Sequence, residues 1–314
     1  MKVYNDINSF TKVKQAVVTS GTFDGVHIGH QKIIKRLKDI ANKTGGETVL
    51  LTFWPHPRLI LYPDQPFKLL NSIEEKTRLL EQYGIDHLII IPFTKLFAGW
   101  SSEKFINEIL VKKIGTKKLV IGYNHRFGKH RSGSFEVLKK DSANYGFDVE
   151  EIPRQEIDHI GISSTKIRKA LGAGEVDIST KYLNRPYCIN STVMEGDKLG
   201  REIGFPTANL QIDFTQKLIP SDGIYAVKVE YNNKFYLGML NIGYRPTIKG
   251  KTKRIEVHIL GFDKNIYNKK LTVYFYKQLR TEIRFPSINA LCSQLEKDKI
   301  AVISYFKTIS QQNR

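Results

Sequence analysis

Cysteine is nearly absent. The 314 residues contain two, Cys188 and Cys292, far apart and in no CxxC pair. This excludes a disulfide framework, suggests no zinc site and fits a reducing cytoplasm. No run of about 18 apolar residues occurs, which excludes a transmembrane helix. The start, Met-Lys-Val-Tyr-Asn-Asp, has no apolar h-region, so a signal peptide is not expected. There is no internal repeat and no low-complexity segment. An apolar fraction of 41% with 25% charge excludes disorder for most of the chain. Acidic residues are the scarce charge: 31 against 49 Lys+Arg, a net +18. Such a surplus suits nucleic acid, an anionic surface or phosphorylated substrates. The lysines are spread through both halves, often as isolated pairs such as Lys112-Lys113, and no dense basic tract marks a nucleic-acid module. Nucleic acid is therefore not the expected partner.

The length suits two domains. In the first half, residues 16–20, 48–53, 87–92 and 118–122 read as buried strands. Between them Ile33, Ile34, Leu37, Ile40 and Ala41 recur at helical spacing, and 101–114 reads as a helix with Ser102 as N-cap. This alternation predicts a parallel sheet with crossover helices, whose ligands sit at the carboxyl ends of strands. After Gly172-Ala-Gly174 the pattern changes. Asn184-Arg-Pro186 reads as a linker, dividing the chain into 1–183 and 184–314. Beyond it, 224–230, 235–241, 254–260 and 271–276 alternate with period two, which predicts an antiparallel sandwich or barrel. Residues 287–307 close the chain as a helix, with a break expected near Asp298.

The sharpest local feature is Gly21-Thr-Phe-Asp-Gly-Val-His-Ile-Gly-His30, between a strand and a helix. Its glycines allow close backbone approach to a ligand. His27 and His30 lie one helical turn apart and share a side. A helix N-terminus favours anions, so the stretch forms a cradle for a polyphosphate, with both histidines holding phosphoryl oxygens. A metal pair, or two histidines that only support a helix start, are the other readings. A zinc site would need a third ligand, and none is obvious. In 161–168, Ser163, Ser164 and Thr165 supply hydroxyls and N–H groups at a helix start, and Arg168 a forked cation one turn later. A simple N-cap with a solvated arginine is the alternative.

These letters resemble the nucleotidylyltransferase superfamily, and specifically the N-terminal half of the bacterial bifunctional riboflavin kinase/FAD synthetases. Thr52-Phe-Trp-Pro-His-Pro57, Ile121-Gly-Tyr-Asn-His-Arg-Phe-Gly128 and Gly161-Ile-Ser-Ser-Thr-Lys-Ile-Arg168 are similar to the family's further motifs. His-Ile-Gly-His also matches class I aminoacyl-tRNA synthetases. Their Lys-Met-Ser-Lys-Ser-like loop and tRNA-binding domain are not found. The family resemblance implies an ATP site of Gly21, Phe23, Asp24, Gly25, Gly29, Ser164 and Thr165, with His27, His30, Asn124 and Arg168 catalytic.

A second stretch, Gly196-Asp-Lys-Leu-Gly-Arg-Glu-Ile-Gly-Phe-Pro-Thr-Ala-Asn209, follows the linker. Glycines permit a loop over phosphates, and Thr207 and Asn209 offer the hard neutral oxygens that magnesium takes alongside phosphates and water. A Gly/Pro turn stabilised by its own Thr and Asn is the other reading. The order Gly-Arg-x-x-Gly-x-Pro-Thr-Ala-Asn resembles the riboflavin kinase family. Asp222-Gly-Ile-Tyr-Ala226, Leu240-Asn-Ile-Gly243, Arg254-Ile-Glu-Val-His258 and Leu279-Arg-Thr-Glu-Ile-Arg-Phe285 follow in its order. The resemblance implies ATP contacts from Gly200, Gly204, Pro206 and Thr207, magnesium on Thr207 and Asn209, and flavin on Arg284 and Phe285. Glu256 aligns with the family's base for the ribityl hydroxyl, and alternation places it opposite Ile255 and Val257. Otherwise it is an exposed strand glutamate. His258 shares its face as structural support. Family members often carry His before the loop's first glycine, where this chain has Glu195.

The implied fold is an α/β nucleotidylyltransferase domain followed by an antiparallel riboflavin kinase barrel with a closing helix. The implied enzyme makes FMN from riboflavin and ATP, then FAD and pyrophosphate from FMN and a second ATP. It is cytoplasmic, uses Mg2+ and has small molecules as partners. The alternatives are a chain retaining one activity, or a basic nucleic-acid-binding protein.

Overall fold

The computed structural model describes residues 1–314 except 124–125, 130–132, 154–160, 197–198, 248–249 and 313–314. Contacts group the chain into two compact units, Met1–Ser164 and Thr165–Arg314.

The first unit carries a six-stranded parallel sheet in the order β1-β4-β3-β2-β5-β6. Its strands are β1 (Lys2–Tyr4), β2 (Val17–Ser20), β3 (Thr48–Trp54), β4 (His87–Pro92), β5 (Lys118–Gly122) and β6 (Asp148–Ile152). The apolar runs divide by alternation between two cores. Val17, Leu50, Leu88 and Val120 face one, with Ile34 and Leu37 of the helix Ile28–Thr44. Val18, Val49, Leu51, Ile89 and Ile121 face the other. Cover on both faces is why these strands read as unbroken apolar runs. The chain steps from β2 to β3 and β4 on one side and later adds β5 on the other. The end of β2 is therefore a topological switch point, where such sheets bind ligands.

Two helix details differ from the sequence expectation. Ser101 rather than Ser102 caps the helix, its Oγ accepting from Lys104 N at 3.1 Å. That helix, Ser102–Phe105, continues as a π-helix over Ile106–Ile114.

In the second unit the strands are β7 (Tyr187–Met194), β8 (Ala208–Ile212), β9 (Gly223–Tyr231), β10 (Lys234–Thr247), β11 (Gly250–Ile259) and β12 (Lys270–Arg280). They close into an antiparallel barrel, β10-β11-β8-β7-β12-β9. Ile189, Val227, Leu240, Val257, Val273 and Phe275 are fully buried on the inward-pointing positions. Alternate residues face outward. There Ala226 and Met239 pack with Phe205 and with Val302 and Phe306 of the C-terminal helix. That helix runs unbroken over Ile288–Gln312. The break expected at Asp298 does not occur, because the carboxylate is buried against Arg280, at 3.1 Å from Nε and 2.8 Å from Nη2, and accepts from Gln294 at 2.9 Å. The helix Val176–Leu183 packs on β7 and β12. Val176, Ser179 and Leu183 are buried, and Ser221 N donates to Leu171 O at 3.0 Å.

Candidate active sites

The switch-point loop of the first unit is tightly wound. Phe23, Gly25 and Val26 have φ of 47°, 85° and 39°, so three residues of four turn left-handed. Non-glycine residues hold such φ only where surroundings enforce it. The surroundings are visible. The Phe23 ring is buried beneath Gly21, where a Cβ would meet it at 3.1 Å. The Asp24 carboxylate is buried and accepts from Leu70 N at 3.1 Å and Asn71 N at 3.2 Å. Asp24 O accepts from Ser164 Oγ at 2.8 Å. Lys76, which sequence reasoning missed, is buried and donates to Thr22 O at 2.7 Å and Thr52 Oγ1 at 3.3 Å. Burial lowers its pKa to about 8, against the charge of Asp24. The side chains of Phe23 and Asp24 thus brace the loop's shape.

His27 caps the helix, its Nδ1 accepting from His30 N at 3.4 Å. The two rings stack at 3.7 Å and 16°, as their one-turn spacing foretells, and Phe23 lies 4.8 Å from His30. Gly29 is buried in the first helical turn. Thr165 and Arg168 belong to the second unit, on the helix Ser164–Gly172, exposed and half-buried respectively. Asn124 lies outside the described residues.

The barrel carries its site on its outer face. Strand register sets four residues in a row across neighbouring strands. Asn209 (β8) pairs with Glu256 (β11), Glu256 with Asn241 (β10), and Asn241 with Ile224 (β9). Two adjoining cavities of about 270 and 310 Å³ lie along this row and share Leu199, Gly200, Thr207, Asn241, Glu256 and Glu282. The first adds polar groups, Asn209 and Arg254. The second adds Ile203, Phe205, Ile224, Met239, Ile283, Phe285, Leu291 and Leu295. Glu256 thus stands where a polar lobe meets an apolar one, 3.7 Å from Arg254 Nη1.

The Gly196–Asn209 loop is anchored from the same strand face. His258 Nδ1 donates to Pro206 O at 2.8 Å, and its ring meets Phe205 edge-on at 5.4 Å. Phe205 N donates to Gly200 O at 2.7 Å, and Gly204 turns with φ 83°. A Cβ on Gly200 would lie 2.4 Å from Phe205 O, and one on Gly196 only 1.9 Å from Asn209 Nδ2. Phe285 lines the apolar lobe, while Arg284 is exposed and lines neither cavity. Sequence reasoning missed Asn241, Arg254 and Glu282 as lining residues. The available signal was a polar Asn241 between the inward Leu240 and Ile242. Glu282 reaches the site because Gly243 has no Cβ, which would lie 2.1 Å from Glu282 Oε1.

Two family models match. FAD synthetase covers residues 9–166 and riboflavin kinase residues 183–306. The bifunctional riboflavin kinase/FMN adenylyltransferase of Buchnera aphidicola subsp. Schizaphis graminum is 38% identical over 98% of this chain and 100% of its own length. That of Bacillus subtilis is 36% identical over 94% of each. A Streptococcus pneumoniae crystal structure titled as a macrolide-efflux protein superposes with a TM-score of 0.87 at 31% identity, covering 96% of this chain and 98% of that one. No helix among the described residues here is long and apolar enough to cross a membrane.

Proposed function

Because the chain belongs to the bifunctional riboflavin kinase/FMN adenylyltransferase family, we propose a division of roles between its two sites. The protein phosphorylates riboflavin to FMN with ATP, and transfers AMP from a second ATP to FMN, giving FAD and pyrophosphate. We assign adenylylation to residues 1–183 and phosphorylation to 184–314.

The observation that carries the kinase assignment is the row Asn209, Glu256, Asn241, Ile224, which runs from polar lobe to apolar lobe. ATP phosphates occupy the polar lobe, under the loop holding Gly200, Gly204, Pro206 and Thr207. The flavin ring occupies the apolar lobe against Phe285, with Arg284 at its rim. The terminal ribityl hydroxyl then arrives beside Glu256. Its proton passes to the Glu256 carboxylate as the oxygen attacks the γ-phosphorus and ADP leaves. Thr207 and Asn209 are hard neutral oxygen donors beside that phosphate space, which fits magnesium's habit of keeping water and phosphate in its shell. Bound there, Mg2+ would neutralise charge on the phosphates.

In the first unit a phosphate oxygen of FMN attacks the α-phosphorus of ATP and pyrophosphate leaves. That oxygen is already anionic, so no base is needed. His27 and His30, stacked at the mouth of the loop, stabilise charge on the phosphoryl oxygens. Backbone N–H groups from Gly21 to Gly29 cradle the nucleotide, and Ser164 braces Asp24 from outside. Thr165, Arg168 and Asn124 complete this assignment. We place the enzyme in the cytoplasm, with ATP, riboflavin and FMN as its small-molecule substrates.

A time course with riboflavin, ATP and magnesium, resolving FMN from FAD, tests the reading. Wild type should accumulate FMN, then FAD. Glu256→Gln should lower FMN formation roughly 10²–10⁴-fold in kcat while converting added FMN to FAD normally. Normal kcat in that variant would refute the base assignment.

A further inference from the structure

Asn241 Oδ1 is buried and has no hydrogen-bond partner among the described residues. Buried acceptors are almost always paired, and one left open in a cavity marks a place for a donor from outside. The residue lines both lobes. Its Cα is paired with that of Glu256 on one side and that of Ile224 on the other, so its side chain leaves the barrel on the same outward face. We propose that Asn241 is the specificity residue for the ribityl chain, its Oδ1 accepting a hydrogen bond from a ribityl hydroxyl. This rests on the assignment of the barrel cavity to the kinase.

The row favours a hydroxyl over the metal–phosphate complex as the donor's source. Asn209 and Asn241 stand on opposite sides of Glu256, two strand spacings apart, or roughly 10 Å. A magnesium ion bound about 2 Å from Asn209 is out of reach of Asn241. A ring in the apolar lobe and a reacting hydroxyl at Glu256 leave the polyol between them, passing Asn241. The groups offered there are hydroxyls, which are donors. A site built to bond a hydroxyl discriminates against flavins lacking it, because the buried oxygen is then stranded.

The test compares riboflavin with lumiflavin, which has the ring but no ribityl chain. The readouts are the KM for riboflavin and the Ki of lumiflavin as competitor, both in FMN formation by the full chain. Asn241→Leu, close in size but without an acceptor, should raise the riboflavin KM roughly tenfold and leave the lumiflavin Ki within about twofold. The ATP and magnesium requirements should not move. Asn241→Ser, which retains an acceptor oxygen, should recover part of the riboflavin affinity, and it replaces the leucine variant if that one fails to fold. Equal weakening of both flavins would overturn the proposal and leave Asn241 as packing. So would a raised magnesium requirement with an unchanged riboflavin KM. If Glu256→Gln keeps normal kcat, the cavity assignment falls first, and this proposal with it.

Discussion

Gly196→Ala perturbs the kinase site by one methyl group placed outside the chemistry. The new Cβ would lie 1.9 Å from Asn209 Nδ2, 2.6 Å from Cγ and 3.0 Å from Oδ1. Ordinary contact begins near 3.4 Å, so the amide must retreat by about 1.5 Å. The obstacle is the end of a side chain, which can rotate away at a cost of about 0.5–1.5 kcal/mol. Folding should therefore survive, with the melting temperature within a few degrees of wild type. Catalysis should not, because a misplacement of about 1 Å in a positioning group costs roughly 10²-fold. FMN formation should fall about 10²-fold in kcat/KM, equivalent to about 2.7 kcal/mol of transition-state stabilisation. The half-saturating magnesium concentration should rise, and adenylylation of added FMN should be unaffected. Steady-state kinetics over a magnesium titration read all three. Asn209→Ala should cost a similar amount, and the double variant little more than either single, since both act through one amide. A Gly196→Ala enzyme with wild-type kcat and magnesium requirement would refute the chain of reasoning from glycine to ligand.

His30→Ala should slow FAD formation on the order of 10²–10³-fold and leave FMN formation intact; separate assays of the two products decide this. Asp298→Ala strands the Arg280 guanidinium, and should cost about 3–5 kcal/mol in equilibrium unfolding, with much of the loss recovered in Arg280→Met/Asp298→Leu. Lys76 brings a pH signature. Its pKa falls from 10.5 unfolded to about 8 folded, so between these values the unfolded chain holds a proton the native one has released. Stability then rises with pH across that window, by about 3 kcal/mol in total, and Lys76→Met should lack the rise in unfolding measured at pH 7.5 and 10.

Strands buried on both faces are legible in the letters, as is the placing of His27 and His30 at a helix start. β2 to β5 are buried along most of their length and carry the apolar residues of both cores, and His27 and His30 share a side as their spacing predicts. β6 escaped because Asp148, Glu150 and Glu151 give it the look of a loop. It is an edge strand, and Glu150 is held by Arg36 and by Lys118 at 2.9 Å, partners distant in sequence. β8 is five residues long and is completed by neighbours on either side. Asp298 looked like a helix breaker because its counter-charge sits on β12. The Asp24 carboxylate meets two amides near residue 70, partners that the letters of its own loop do not reveal. Asn241 gains its meaning only from cross-strand register, which no single strand encodes.

The barrel's closure also sets an order of events in time. Its first strand, β7, is hydrogen-bonded to its last, β12, with Ser191 opposite Leu271. The ring therefore cannot shut during synthesis until β12 has left the ribosome. The parallel sheet, by contrast, is complete by Ile152. At about 5–20 residues per second, the adenylyltransferase half has several seconds in which to fold alone. The kinase half can close its ring only after that, once β12 is available to pair with β7.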